Sequence, residues 1–112
     1  MNIETPEDER GHLVVVRGEA DLSAVPPFQS IMRAKAAEQA SPLVVDFSDV
    51  TFVNTPIWAV LIEYYQHSND SSAKFAIAGL QERAEASFKI VRLDEFIPFY
   101  KTVDEAFDAL NR

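Results

Sequence analysis

A hydroxyl residue stands at a strand-to-helix turn in the segment Val50-Thr51-Phe52-Val53-Asn54-Thr55-Pro56-Ile57. Pro56 suits the first turn of a helix, where its missing N–H costs nothing. A phosphate on Thr55 would meet unsatisfied backbone N–H groups and the positive end of the helix dipole. Thr55 is therefore a candidate phosphoacceptor. The same spacing suits a plain N-cap made by Asn54 or Thr55, and spacing alone makes the cap the plainer reading. Further along this helix Ile57, Leu61, Tyr64 and Ser68 form one face, with Val60 beside it. Trp58, Ile62 and Tyr65 form a second face at i, i+4 and i+7. A surface helix is normally polar on its second face. Either this helix is buried on both sides or the Trp58–Ile62–Tyr65 stripe docks on another protein.

Other chemistry is sparse. The three glycines, Gly11, Gly18 and Gly79, make no dinucleotide fingerprint and no P-loop. The two histidines, His12 and His67, share no helical spacing, so neither a metal pair nor a nucleophile relay is visible. Asp46 is a charge inside the apolar run Leu43-Val44-Val45-Asp46-Phe47. Such a charge is costly unless it is hydrogen-bonded or at a rim. Bonding to local backbone N–H groups, which would shape the next turn, is its simplest role. Asp21 follows Gly18-Glu19-Ala20 where a strand leads into a helix; it either caps that helix or lines a site at the sheet's C-terminal edge.

The elements that must position these residues follow from periodicity. Asn2 to Glu7 reads as an edge strand and Glu9 to His12 as a turn. Leu13 to Val16 reads as a buried strand bounded by Gly18. Pro26 and Pro27 open a helix with Phe28, Ile31, Met32 and Ala36 on one face. Leu43 to Phe47 is a second strand, extended by Thr51-Phe52-Val53 after a polar break at Ser48-Asp49. The helix after Asn54 runs to about His67 and stops in the turn cluster Ser68 to Ser72. Lys74 to Ala78 is a third strand, ended by Gly79. Gln81 to about Val91 is a helix with Ala84, Phe88 and Val91 inward. Phe96 to Tyr100 reads as a short last strand. Thr102-Val103-Asp104-Glu105 is a capping box for a final helix with Ala106, Phe107 and Leu110 inward. Strands alternating with helices, and apolar on consecutive positions, predict an α/β domain. Its sheet should be mostly parallel, with an antiparallel N-terminal edge strand and about four covering helices.

Composition narrows the function further. The chain has 112 residues, 18 Asp+Glu against 10 Lys+Arg and no cysteine. That length predicts a single domain over 1–112. A net charge of −8 without a basic stripe argues against nucleic acid and anionic lipid as partners. Disulfides, Cys-ligated zinc and a thiol nucleophile are excluded. The first residues are acidic and polar, unlike a secretory signal. The longest uncharged apolar-rich run, Val50 to Ile62, is too short to span a membrane. The expectation is a cytoplasmic protein without direct membrane insertion, cofactor or metal.

Several segments, taken in order, resemble the STAS domain of bacterial anti-sigma-factor antagonists and sulfate-transporter tails. Gly18-Glu19-Ala20-Asp21 matches the family's Gly-Glu-Leu-Asp at all but one position. Leu43 to Ser48 matches its second strand, Val50 to Val53 the approach to the signature turn, and Tyr100 to Phe107 the tail pattern. The signature turn itself departs. Where the family reads Asp-Ser-Ser/Thr-Gly, this chain reads Asn54-Thr55-Pro56-Ile57. One carboxylate is lost, one hydroxyl is kept at Thr55, and bulk is added at Ile57. Trp58 also falls where the family often has small residues, which implies a remodelled partner surface. The resemblance implies a non-enzymatic regulator that binds an anti-sigma-factor or kinase-like protein through the 54–65 turn and helix. Asp21, Asn54, Thr55, Pro56, Trp58, Ile62 and Tyr65 would form the surface, and Thr55 phosphorylation would be the switch. The alternative it implies is a constitutive subunit or scaffold of a transporter or signalling complex, without phosphorylation. Apart from the resemblance, a small enzyme or nucleotide-binding protein using Asp21 and Asp46 is the remaining reading.

Overall fold

The computed structural model describes all 112 residues. Strand β1 (Asn2–Glu4) and the two-residue β2 (Glu7–Asp8) both pair antiparallel with β3 (Gly11–Ala20). Helix α1 (Val25–Ala37) leads to β4 (Leu43–Val53), then α2 (Thr55–Ser71), β5 (Phe75–Ala78), α3 (Glu82–Ile90), β6 (Phe99–Tyr100) and α4 (Val103–Leu110). The sheet order is β1-β3-β4-β5-β6, with β3 through β6 parallel. This is the mostly parallel α/β architecture with an antiparallel edge that the alternation of apolar runs and helices predicts.

The consecutive apolar positions of the central strands are explained by burial on both faces. Val14, Val16, Leu43, Val45, Phe47 and Ile77 pack beneath α1, α2 and α3 in the larger core. Val44, Ala76 and Ala78 face the other way, against Ala106 and Phe107 of α4. The polar break at Ser48-Asp49 does not interrupt β4. It marks a bulge instead. Val15 pairs with Asp46 and Arg17 with Asp49, so β4 uses one more residue than β3. Asp46 stabilises this bulge by accepting the backbone N–H of Ser48 at 2.9 Å. Gly79 crosses it closely, at φ +77°, and a Cβ there would lie 2.7 Å from Ser48 Cβ. Glycine is required at that position by both conformation and space. A second bulge separates the pairs Gly18–Val50 and Ala20–Val53 and brings β4 to the turn at Asn54.

Several boundaries differ from the sequence expectation. Helix α2 continues through Ser68 to Ser71 rather than stopping near His67. The Ser68 and Ser71 hydroxyls donate back to the carbonyls of Tyr65 and His67, so these residues are accommodated within the helix. The helix ends at Ser72, which adopts the left-handed conformation. Helix α3 stops at Ile90, and the left-handed Arg92 turns the chain away. Val91 is consequently 40% exposed, and Leu93 and Ile97 fill the core position expected of it. The last strand is reduced to Phe99–Tyr100 because residues 93–95 coil into a 3-10 turn, which leaves Phe96 exposed. The start of β3 reaches back to Gly11, so the turn before it is confined to Glu9-Arg10. In α4, Ala106 and Phe107 are fully buried and Leu110 is half-buried at the rim of the smaller core.

Candidate functional site

Two connections meet at the C-terminal edge of the sheet. The β3–α1 connection carries Asp21 and the β4–α2 connection carries Asn54. They are tied together by the backbone N–H of Asn54, which donates to the Ala20 carbonyl at 2.8 Å. Asp21 is a cap. Its carboxylate accepts the Ser23 backbone N–H at 3.0 Å and the Ser23 hydroxyl at 2.6 Å, ahead of the short 3-10 turn Leu22–Ala24. Those bonds, that of the Ser23 side chain foremost, hold the Asp21 carboxyl below its ordinary pKa.

Asn54 occupies the N-cap position of α2 in extended conformation, but its side chain makes no capping bond. Thr55 is the first residue inside the helix and Pro56 the second. Thr55 is therefore not the cap. A residue at that position points its side chain out of the turn, not back over the free N–H groups. Its hydroxyl is exposed and enters no hydrogen bond with the protein. The first turn closes through the Ile57 N–H, which donates to the Asn54 carbonyl at 2.9 Å.

Trp58 supports this turn from beneath and is 1% exposed. Its ring lies 6.0 Å from that of Phe47 and 5.4 Å from that of Phe88. Its indole N–H donates to the Ser87 Oγ on α3 at 2.9 Å. The Trp58–Ile62–Tyr65 stripe is thus not a surface stripe, because α3 covers its leading residue. Trp58 cannot touch a partner in this conformation. The helix is rotated so that Thr55, Ala59, Ile62 and Gln66 (positions i, i+4, i+7 and i+11) face outward. Ile62 remains 38% exposed. Tyr65 is half-buried beside it, with its ring 6.0 Å from that of Phe96. Ile62, Tyr65, Val91 and Phe96 line an apolar groove of about 270 Å³.

A second groove, of about 350 Å³, opens beside Thr55. Thr51, Phe52, Val53, Asn54 and Thr55 form one wall; Arg83, Ala84 and Ser87 of α3 form the other. Arg83 is the one charged residue among them and takes part in none of the ion pairs of the molecule. The sequence gives no local sign of this wall, because Arg83 and Ser87 lie about thirty residues beyond the turn. Asp46 lies in the bulge and is held by its bond to the Ser48 N–H, so it does not join the site. No cluster of His, Asp and Glu has the geometry of a metal site. His12 lies at the other end of β3, and His67 packs against the Tyr64 ring at 5.6 Å between α1 and α2. No helix is long and apolar enough to cross a membrane.

The STAS domain family model matches residues 2–106. Among solved structures, an anti-sigma factor antagonist from Mycobacterium paratuberculosis superposes with a TM-score of 0.91 at 22% identity, covering 99% of this chain and 94% of its own. The phosphorylated form of the Bacillus cell fate determinant SpoIIAA superposes at 0.74 and 14% identity, covering 96% and 98%. A sulfate transporter family protein from Wolinella succinogenes superposes at 0.76 and 10% identity, covering 88% and 83%. At these identities the likeness is one of fold. No curated protein sequence matches the chain significantly.

Proposed function

The chain belongs to the STAS domain family, and from that premise we propose that it is a non-enzymatic regulator, one domain over 1–112, that binds an anti-sigma-factor or kinase-like protein in the cytoplasm. The contact surface is the outward stripe of α2 from Thr55 to Ile62, with Asn54, Pro56 and Asp21 at its head and Tyr65 at its flank. The observation that carries this reading is the free, exposed Thr55 hydroxyl at the head of that stripe. Phosphorylation there adds a charge of about −1.5 to −2 beside an apolar contact and weakens it. The phosphorylated SpoIIAA structure is a precedent for modification on this fold.

The test pairs the purified chain with each anti-sigma kinase-like protein encoded in the same genome, with and without ATP. Binding that Ile62→Asp or Thr55→Glu weakens at least about tenfold, together with phosphate mapped to Thr55, supports the switch. Binding unaffected by either substitution removes this surface from consideration. The transporter-type neighbour favours a second reading, a constitutive subunit of a transporter complex. In that case Ile62→Asp weakens assembly and Thr55→Glu leaves it unchanged.

A further inference from the structure

We propose that Arg83 is the residue that reads phosphorylation at Thr55, drawing the phosphate into the groove between the β4–α2 turn and α3. The inference rests on Thr55 as the acceptor and adds the means by which its phosphate is held. Three observations carry it. Thr55 and Arg83 line opposite walls of the same groove of about 350 Å³. The Thr55 hydroxyl has no protein partner. Arg83 is exposed and unpaired, although Glu82 and Glu85 are on its own helix; Glu85 pairs with Lys89 instead.

The remaining polar groups of the groove are compatible with an anion. Ser87 Oγ already accepts the Trp58 indole N–H, so its own hydroxyl proton is free to donate. The Asn54 side chain is also unused and offers an NH₂ group. The nearby carboxylate of Asp21 is engaged with Ser23. Transfer of the γ-phosphoryl group of ATP to Thr55 Oγ1 forms one P–O bond, breaks one in ATP, and releases ADP and the hydroxyl proton. Arg83, on the other wall of the groove, offers the product dianion a planar guanidinium suited to bidentate pairing. Once seated, the phosphate bridges the groove and ties the head of α2 to α3. A partner then loses the Arg83 charge and meets an altered head of α2.

The experiment uses the full chain with phosphothreonine installed at position 55 by genetic encoding, so that no kinase is needed. The second phosphate ionisation is followed by ³¹P NMR in the parent, Arg83→Gln and Arg83→Lys backgrounds. Both substitutions are at an exposed site and leave the fold intact. The second pKa of a phosphomonoester lies near about 6, and pairing with Arg83 lowers it by at least about 0.5 unit relative to Arg83→Gln. Arg83→Lys falls between. The helix terminus acts equally in all three, so only the difference reports on Arg83. Coincident titrations in the three backgrounds overturn the proposal. A kinase screen that leaves Thr55 unmodified counts against the acceptor reading alone, since the installed phosphate tests the pairing independently.

Discussion

Two threonines begin helices in this molecule, and the fold treats them differently. Thr102 precedes α4 as its N-cap, in extended conformation, and its hydroxyl accepts the Glu105 backbone N–H at 3.1 Å. Thr55 is one position further along, inside α2, with its hydroxyl turned to solvent. A shift of one residue across a helix boundary turns the side chain by about 100° and exchanges a structural bond for a free hydroxyl. Both helices are anchored from below by an aromatic residue, Trp58 under the first turn of α2 and Phe107 in α4. Arg10 adds a second fastening to α4. It pairs with Asp8 and Asp104 and sits 4.7 Å from the centre of the Phe107 ring. The start of α2 has no such clasp on its outer side. The Thr55 end is therefore packed underneath and open above.

Trp58→Ala removes the Phe47–Trp58–Phe88 stack and the bond to Ser87, and should cost about 3–5 kcal/mol in urea unfolding followed by circular dichroism. A loss below about 1 kcal/mol would mean that the turn is not supported in this way.

The next effect contrasts the open head of α2 with its buried third turn. Burial pushes the Tyr64 hydroxyl up to about 12, with Glu38 adding to the shift. The folded chain thus keeps a proton that the unfolded chain releases near pH 10. Its stability contribution is intact below pH 10 and is lost as the pH rises through 12. Tyr64→Phe should abolish a pH-dependent loss of about 2 kcal/mol over that window, read from denaturant midpoints. An unchanged alkaline profile would show that the Tyr64 environment is more hydrated than its burial implies.

The two threonines then separate directly. Thr102→Ala should lower stability by about 1 kcal/mol through loss of the cap. Thr55→Ala should change it by less than about 0.5 kcal/mol, because no bond is lost. Chemical denaturation of the pair measures both. Equal costs would dissolve the distinction between cap and free hydroxyl.

Much of this is legible in the sequence. The order of strands and helices follows from apolar runs, prolines and turn clusters. The capping box at Thr102-Val103-Asp104-Glu105 forms with Thr102 as cap. Asp21 and Asp46 both bond backbone N–H groups two residues on, as their places in the chain implied. The ordered resemblance from Gly18 to Phe107 named the family correctly. The outward face of α2 was not legible. Trp58, Ile62 and Tyr65 share a helical stripe, yet periodicity cannot say which of two apolar stripes α3 will cover.

The sequence by itself determined the local elements, the charge-free run from Val50 to Ile62, and the hydroxyl available at its turn. These depend on neighbours within a few residues, where propensity, proline geometry and capping act. Only the tertiary structure decided that Trp58 is a foundation and not a contact, and that Ile62 stays exposed. It also decided that Arg83 and Thr55 line one groove. Those outcomes depend on the packing of α2 against α3 over about thirty residues of chain, and the sign of a helical rotation is set by what covers it.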